Sequence, residues 1–309
     1  MEDVASVNSL IEDFANWLAV ERGFSKHTVR NYCADVHLFF EVTGSDWRKV
    51  SRNDIELFVN FISKHGSKPS SIARRLSSIR SFYKFLKIKG FINTIPVSGM
   101  KRPKVKRRLP SYLSEEEIAK AFSYTCNPVE KAIMEILYST GIRVSELCGL
   151  NVDDVDLAGC RMRVFGKGGK ERIVFLTDEA VSALKEYLVY RMEKLSKIKR
   201  LNEDTKKALF ITSRGRISDM TVRRILKRIF MRCGIKKKVY PHLIRHTFAT
   251  HLLEEGMNLR GVQTLLGHKN IQTTEVYTHV SLKHLLEAYR KAHPRERFEI
   301  DDGGGDKKE

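Results

Sequence analysis

Residues 101–108 read KRPKVKRR: six bases and no acid, with a second proline, Pro110, just beyond. Proline fixes φ and removes a backbone donor. Six like charges in eight residues repel one another unless something neutralises them. Such a segment cannot sit inside a helix or a sheet, so residues 101–110 read as an extended basic linker. It divides the chain into residues 1–100 and residues 111–294, each long enough to bury its own core. The last stretch, 295–309, ends DDGGGDKKE and reads as a disordered tail.

The first hundred residues carry a helical period throughout. Ile11, Phe14 and Leu18 mark a helix over Asn8–Arg22, and Ser25 opens a second with Val29, Tyr32, Val36, Phe39 and Phe40 on one face. A third over Asp54–His65 turns Ile55, Phe58, Val59 and Ile62 inward. A fourth, about Ser70–Lys89, does the same with Ile72, Leu76, Ile79, Tyr83 and Leu86. Its remaining positions include Arg74, Arg75, Arg80 and Lys84. A solvated basic face and a face presented to DNA account for them equally well. In the second part, Ser114 with Glu117 is a capping box. Helices follow near Val129–Thr140, Glu179–Leu195, Asp219–Arg232, Leu259–Leu266 and Leu282–Lys291. RMRVFGKGGKERIVFLT, from Arg161, reads as a β-hairpin and ALFIT, from Ala208, as a short strand. The expected fold is mainly α, with a small β-hairpin or sheet in the second domain.

Net charge supplies the first functional constraint. The chain carries +19, distributed as +4 over residues 1–100, +6 over 101–108 and +9 beyond. Surplus lysine can serve solubility alone, but the block at 101–108 points to a polyanionic partner. Lys101, Arg102, Lys104, Lys106, Arg107 and Arg108 can follow a phosphate backbone while joining two domains, which implies a two-domain clamp on double-stranded DNA. The five cysteines (Cys33, Cys126, Cys148, Cys160, Cys233) are scattered and odd in number, as free thiols in a reducing compartment would be. With no long apolar run and no secretory pattern at the start, the expectation is a cytoplasmic protein.

Four short stretches carry chemistry. In PHLIRHTFATHLL, Pro241 suits the first position of a helix, and His242 and Arg245 share a face in its first turn. Cations fit badly at that end of the dipole unless an anion is there too. His242 and His246 have the spacing of a zinc helix. However, residue 243 is leucine where a metalloprotease has glutamate, and Arg245 lies between the two histidines, so no metal is expected. His246 and His251 read as structural or solvent-facing. In TGIRVSEL, Glu146 stands three residues after Arg143 and can hold its guanidinium, either as a plain surface ion pair or as an orienting group for a phosphate-binding fork. In GKGGKE, Lys167 sits in a glycine-rich turn that can approach a ligand, or is merely solvated. No phosphate-binding P-loop motif exists, and no cofactor is implied. Finally, Gly267 ends a helix and would project His268, with Tyr277 following in EVYTHV.

This series resembles that of the tyrosine recombinases, the integrase family of site-specific DNA recombinases, and the Xer enzymes most closely. TGIRVSEL, GKGGKER, HLIRHTFATHLL and LLGHKNIQTTEVYTHV carry the resemblance, which extends over residues 8–292 and covers the family's core-binding (SAM-like) domain. It implies a nucleophilic Tyr277 and a 3′-phosphotyrosyl intermediate. Arg143, Arg245, His242 and His268 would lie on the phosphate, with Lys167 as general acid and Glu146 behind Arg143. Neither metal nor ATP is implied. The C-terminal helix, about 281–292, with Leu282, Leu285, Leu286 and Tyr289 on one stripe, would dock on a neighbouring protomer in a homotetramer, or in a pairing with a paralogue, on two DNA sites. The resemblance leaves open whether a DNA translocase or accessory protein activates the enzyme. Nothing ahead of residue 8 resembles an arm-binding domain, which favours a simple Xer-like enzyme; resolution of chromosome or plasmid dimers, as against mobile-element integration, rests on the resemblance. A type IB topoisomerase shares the tyrosine chemistry, but the helical first domain and the last helix argue against it. A DNA-binding protein without catalysis would leave the whole series unexplained. On this expectation, deletion from Ser281 harms recombination more than DNA binding.

Overall fold

The computed structural model describes residues 6–96, 111–166, 169–198, 202–267 and 279–296. The chain forms two compact units, residues 1–109 and 110–309. Among the described residues the smaller holds four helices: α1 (Val7–Val20), α2 (Lys26–Thr43), α3 (Arg52–Lys64) and α4 (Pro69–Ile88). Serines 6, 25 and 51 cap the first three, each accepting a bond from an amide in the first turn. The apolar stripes close on a core rich in aromatic rings, among them Phe14, Phe39, Phe58, Phe82 and Phe85. Among the described residues of this unit one acid, Asp35, is buried.

The larger unit is built round α6 (Pro128–Thr140), whose residues from Ala132 to Thr140 are all buried. Preceding it is α5 (Glu115–Ser123), capped by the Ser114–Glu117 box. Next come α7 (Val144–Gly149) and an antiparallel sheet of β1 (Val155–Asp156), β2 (Arg161–Phe165) and β3 (Glu171–Phe175), paired in that order. Then follow α8 (Asp178–Ser196), α9 (Glu203–Lys207), the small pair β4 (Ile211–Thr212) and β5 (Gly215–Arg216), α10 (Asp219–Arg232), α11 (Pro241–Glu254), α12 (Leu259–Leu266) and α13 (His279–Ala292). Helices α8, α10 and α11 pack on α6. The hairpin expected from the sequence is present, with Phe165 opposite Glu171, and β1 adds a third strand that alternation over two residues could not reveal. Of ALFIT, only Ile211 and Thr212 form a strand. No helix among the described residues is long and apolar enough to cross a membrane.

Helix α13 packs against its own chain. Tyr289 is fully buried in the chain's own core and donates from its hydroxyl to the Ser139 carbonyl at 2.8 Å. Leu285 and Leu286 pack against the same cluster, and His293 bonds the Tyr138 carbonyl. The side chain of Leu282 is outside the described residues. The stripe from Leu285 onward is therefore core of the same protomer. Deletion from Ser281 removes that core, so it tests folding before it tests protomer exchange.

Below α13, Arg295 pairs with Glu135, a buried carboxylate on α6. Burial pushes Glu135 up to about 7 from an ordinary 4.5; Arg295 opposes the shift and Glu179 adds to it. The folded chain thus holds this proton more tightly than the unfolded one. Its contribution is fully present below pH 4.5 and is lost as pH rises through 7. Between pH 5 and pH 8, Glu135→Gln should gain on the wild type by roughly 2–3 kcal/mol, read as a several-degree change in the melting-temperature gap. A gap that stays constant over that range would contradict the assignment.

Candidate active site

The end of α6, the start of α7, strand β3 and the end of α12 converge on a single carboxylate. Helix α6 stops at Gly141, which adopts φ +59°, and a β-carbon there would lie 2.3 Å from Cδ1 of Phe248 on α11. Only glycine fits the turn. Two residues later Arg143 caps α7 in an extended conformation, so it stands just ahead of the helix instead of within its first turn. Its amide donates to Glu146 Oε2 and its Nη1 to Oε1, both at 2.8 Å. Arg143 is 35% exposed while Glu146 is 4% exposed, so one end of this pair faces solvent. Arg216 fixes the other end of α7 by donating to the carbonyls of Cys148 and Leu150.

A second guanidinium, unanticipated from the sequence, shares Glu146. Arg172 on β3 donates from Nη1 to Oε1 at 3.0 Å and from Nη2 to Oε2 at 2.9 Å. Its Nε reaches the Leu265 carbonyl at 3.0 Å. The only hint in the sequence is an arginine inside the β-branched run ERIVF, a position that reads equally well as solvated surface.

Arg245 completes the cluster. It lies in the first turn of α11 and is buried, with Nη1 on the Gly141 carbonyl and Nη2 on the Leu266 carbonyl, each at 2.7 Å. The last carbonyls of a helix have no partner within it and carry the negative end of its dipole. The exits of α6 and α12 thus seat Arg245, and that of α12 also seats Arg172. Burial first, and then Arg143 and Arg172, bring Arg245 down to about 10, with Glu146 offsetting part of the effect. Burial alone would raise Glu146, but the bonds from Arg172 and from Arg143 hold it below the ordinary carboxylate range. Three guanidiniums against one carboxylate leave an excess of positive charge in a partly desolvated place, the setting in which a phosphate oxygen is bound strongly.

His242 is the second residue of α11, exposed, on the same face as Arg245, and follows a Tyr240 cap that offers no side-chain bond. His246 is half-buried. His251 is buried and structural, bonded to the Tyr138 hydroxyl and the Leu113 carbonyl. Among the described residues, no three His, Cys, Asp or Glu side chains are grouped to hold a metal. Lys167, His268 and Tyr277 lie outside the described residues. Their neighbours Gly166 and Gly267 do not. A β-carbon on Gly166 would be 3.8 Å from Glu146 Oε1, and one on Gly267 would be 3.0 Å from Arg172 Cδ.

In the smaller unit, two of the bases read as a DNA face are engaged internally. Arg74 donates to both oxygens of buried Asp35, while Arg75 bonds Ser67 and lies 3.7 Å from Asp35. Arg80 is half-buried and Lys84 exposed. Burying Asp35 requires a cationic partner, and Arg74 supplies it. Residues 101, 102, 104 and 106–108 lie outside the described residues.

Comparison with known proteins agrees over both units. The model of the phage integrase family matches residues 111–284, and that of the phage integrase N-terminal SAM-like domain matches residues 11–90. Tyrosine recombinase XerC of Thermodesulfovibrio yellowstonii is 43% identical over 293 residues, covering 92% of this chain and 96% of its own. Tyrosine recombinase XerD of Oceanobacillus iheyensis is 40% identical over 295 residues, covering 92% and 98%. The fold is shared with a lambda integrase dimer bound to a COC′ core site, at TM-score 0.66 and 22% identity over 86% of this chain and 96% of that one.

Gly141 offers a direct check of the seat beneath Arg245. Gly141→Ala forces a left-handed alanine, worth about 1–2 kcal/mol, and adds a collision with Phe248. Its melting temperature should fall by several degrees or more. Gly149→Ala, with open space around its β-carbon, should melt close to the wild type.

Proposed function

The chain belongs to the phage integrase family and is a site-specific tyrosine recombinase of the Xer type, an enzyme that cuts and rejoins DNA; from that premise we propose how its residues divide the reaction. Tyr277 is the nucleophile. Its phenolic oxygen attacks the scissile phosphorus, the P–O5′ bond breaks, and a 3′-phosphotyrosyl bond forms. Lys167 gives the leaving 5′-oxygen its proton, and His242 or His268 takes the proton of the phenol. Arg143 and Arg245 bind the non-bridging oxygens and neutralise the charge that grows on them. Glu146 holds Arg143 from behind.

What carries this assignment is the seating of Arg245. A guanidinium that is buried, backed by two helix exits and crowded by two further arginines is held ready for an anion before the anion arrives. Preorganised donors of this kind are worth about 10²–10³ in rate each. They supply the charge stabilisation that a metal supplies elsewhere, and the phosphotyrosyl bond keeps the energy of the phosphodiester for rejoining, so no nucleotide is consumed.

Strand exchange brings four copies, or two copies and two of a paralogue, onto two duplexes. Relatives carrying both the XerC and XerD names at similar identity suit either arrangement. A lambda integrase of the same fold has been seen as a tetramer on a Holliday junction. A C-terminal exchange helix has to leave the Ser139 anchor before reaching a neighbour. The proposed task is resolution of chromosome or plasmid dimers in the cytoplasm, under a translocase or accessory activator. Of the smaller unit's predicted DNA contacts, Arg80 and Lys84 remain the better candidates, joined by the linker bases 101–108.

The test is covalent trapping on nicked duplex DNA carrying candidate sites, in EDTA, with Tyr277→Phe alongside. A protein–DNA band on a denaturing gel is expected for the wild type and none for the variant. A band that survives Tyr277→Phe, or that needs a divalent metal, would contradict the assignment.

A further inference from the structure

We propose that Arg172 is the positioning residue that holds Arg143 and Arg245 in register, a role that rests on the assignment of those two arginines to the scissile phosphate. Three of its donors are committed to protein acceptors: two to Glu146 and one to the Leu265 carbonyl. Its side chain is only 13% exposed, so it acts through these partners and not on DNA directly. On one side, Glu146 is the group that fixes the Arg143 fork. On the other, the Leu265 carbonyl immediately precedes the Leu266 carbonyl on which Arg245 sits. Arg172 is therefore the one side chain among the described residues bonded both to the carboxylate behind Arg143 and to the helix exit behind Arg245.

Two glycines fit this role. Gly267 leaves room for the Arg172 side chain, since a β-carbon there would lie 3.0 Å from Cδ. Gly166, at the foot of the turn that carries Lys167, sits where a β-carbon would be 3.7 Å from Arg172 Nη1. The hairpin, the start of α7 and the end of α12 thus share one planar group. Lysine keeps the charge but cannot reach three acceptors with a fixed fork. Losing the fork would leave Glu146 held by fewer bonds and the Leu265 carbonyl without its donor, so the carboxylate that fixes Arg143 would be less firmly placed.

The experiment is a double-mutant cycle on a nicked duplex that traps the wild-type chain, using Arg172→Lys, Arg143→Ala and both together. The readouts are the rate of covalent-complex formation, the affinity for the same duplex by gel shift, and the melting temperature. Arg172→Lys should slow trapping about 10-fold or more while affinity changes less than about 3-fold, and its effect should shrink once Arg143 is already alanine, to the part that passes through Arg245. A full, additive loss in the Arg143→Ala background, a loss that follows affinity or melting alone, or no loss at all would overturn the proposal. If Arg172→Lys does not melt cooperatively, Glu146→Gln runs the same cycle from the other partner of the ion pair, with the same outcomes deciding. Should no duplex trap the wild type, the phosphate assignment itself falls, and the proposal with it.

Discussion

A carboxylate as buried as Glu146 has to be neutral or paired, because an isolated charge there would cost many kcal/mol. Glu146 is paired twice, with Arg143 and with Arg172, and also accepts the amide that begins α7. Three elements distant in sequence are drawn to one point by that requirement. The turn after α6 arrives with Arg143, the strand β3 with Arg172, and the end of α12 through the carbonyl that Arg172 also holds. Take Glu146 away and three guanidiniums face one another with no counter-charge.

Helix exits do the rest. The carbonyls of Gly141, Leu265 and Leu266 lie at the ends of α6 and α12, where intrahelical donors have run out. Seating arginines on them satisfies the backbone and aims positive charge at one locality. The same logic places Gly141 and Gly267 in left-handed conformations, since each ends its helix abruptly enough to leave those carbonyls open. Arg245 is held by backbone carbonyls alone, Arg143 by the Glu146 carboxylate, and Arg172 by both kinds of acceptor.

Much of this was legible in the sequence, and the gaps have physical causes. The helices of the smaller unit show a clean 3.6-residue period because each has one wet face. Helix α11 does not, because its buried residues, among them Leu243, Ile244, Thr247, Phe248, His251 and Leu252, are not confined to one narrow stripe, and Pro241 and its chemistry mark it instead. Arg143 and Glu146 were found by spacing. Arg172 was not, since its partner lies 26 positions away and no local pattern marks a contact of that range. The pairing of Arg74 is hidden for the same reason: its partner Asp35 sits on another helix. Tyr289 packs within its own chain, and an apolar stripe looks the same in the sequence whether its own chain or another covers it.

The central claim is that Arg143 neutralises charge on a non-bridging oxygen of the scissile phosphate. Arg143 suits the test because it is partly exposed and Arg172 still pairs Glu146 without it. The decisive measurement is the rate of phosphotyrosyl formation by wild type and Arg143→Ala on two otherwise identical nicked duplexes, one with a normal scissile phosphate and one with an uncharged methylphosphonate. The account predicts a deficit of about 10²-fold or more on the phosphate that largely disappears on the methylphosphonate. An equal deficit on both would mean that Arg143 does not act on that charge, and would contradict the account.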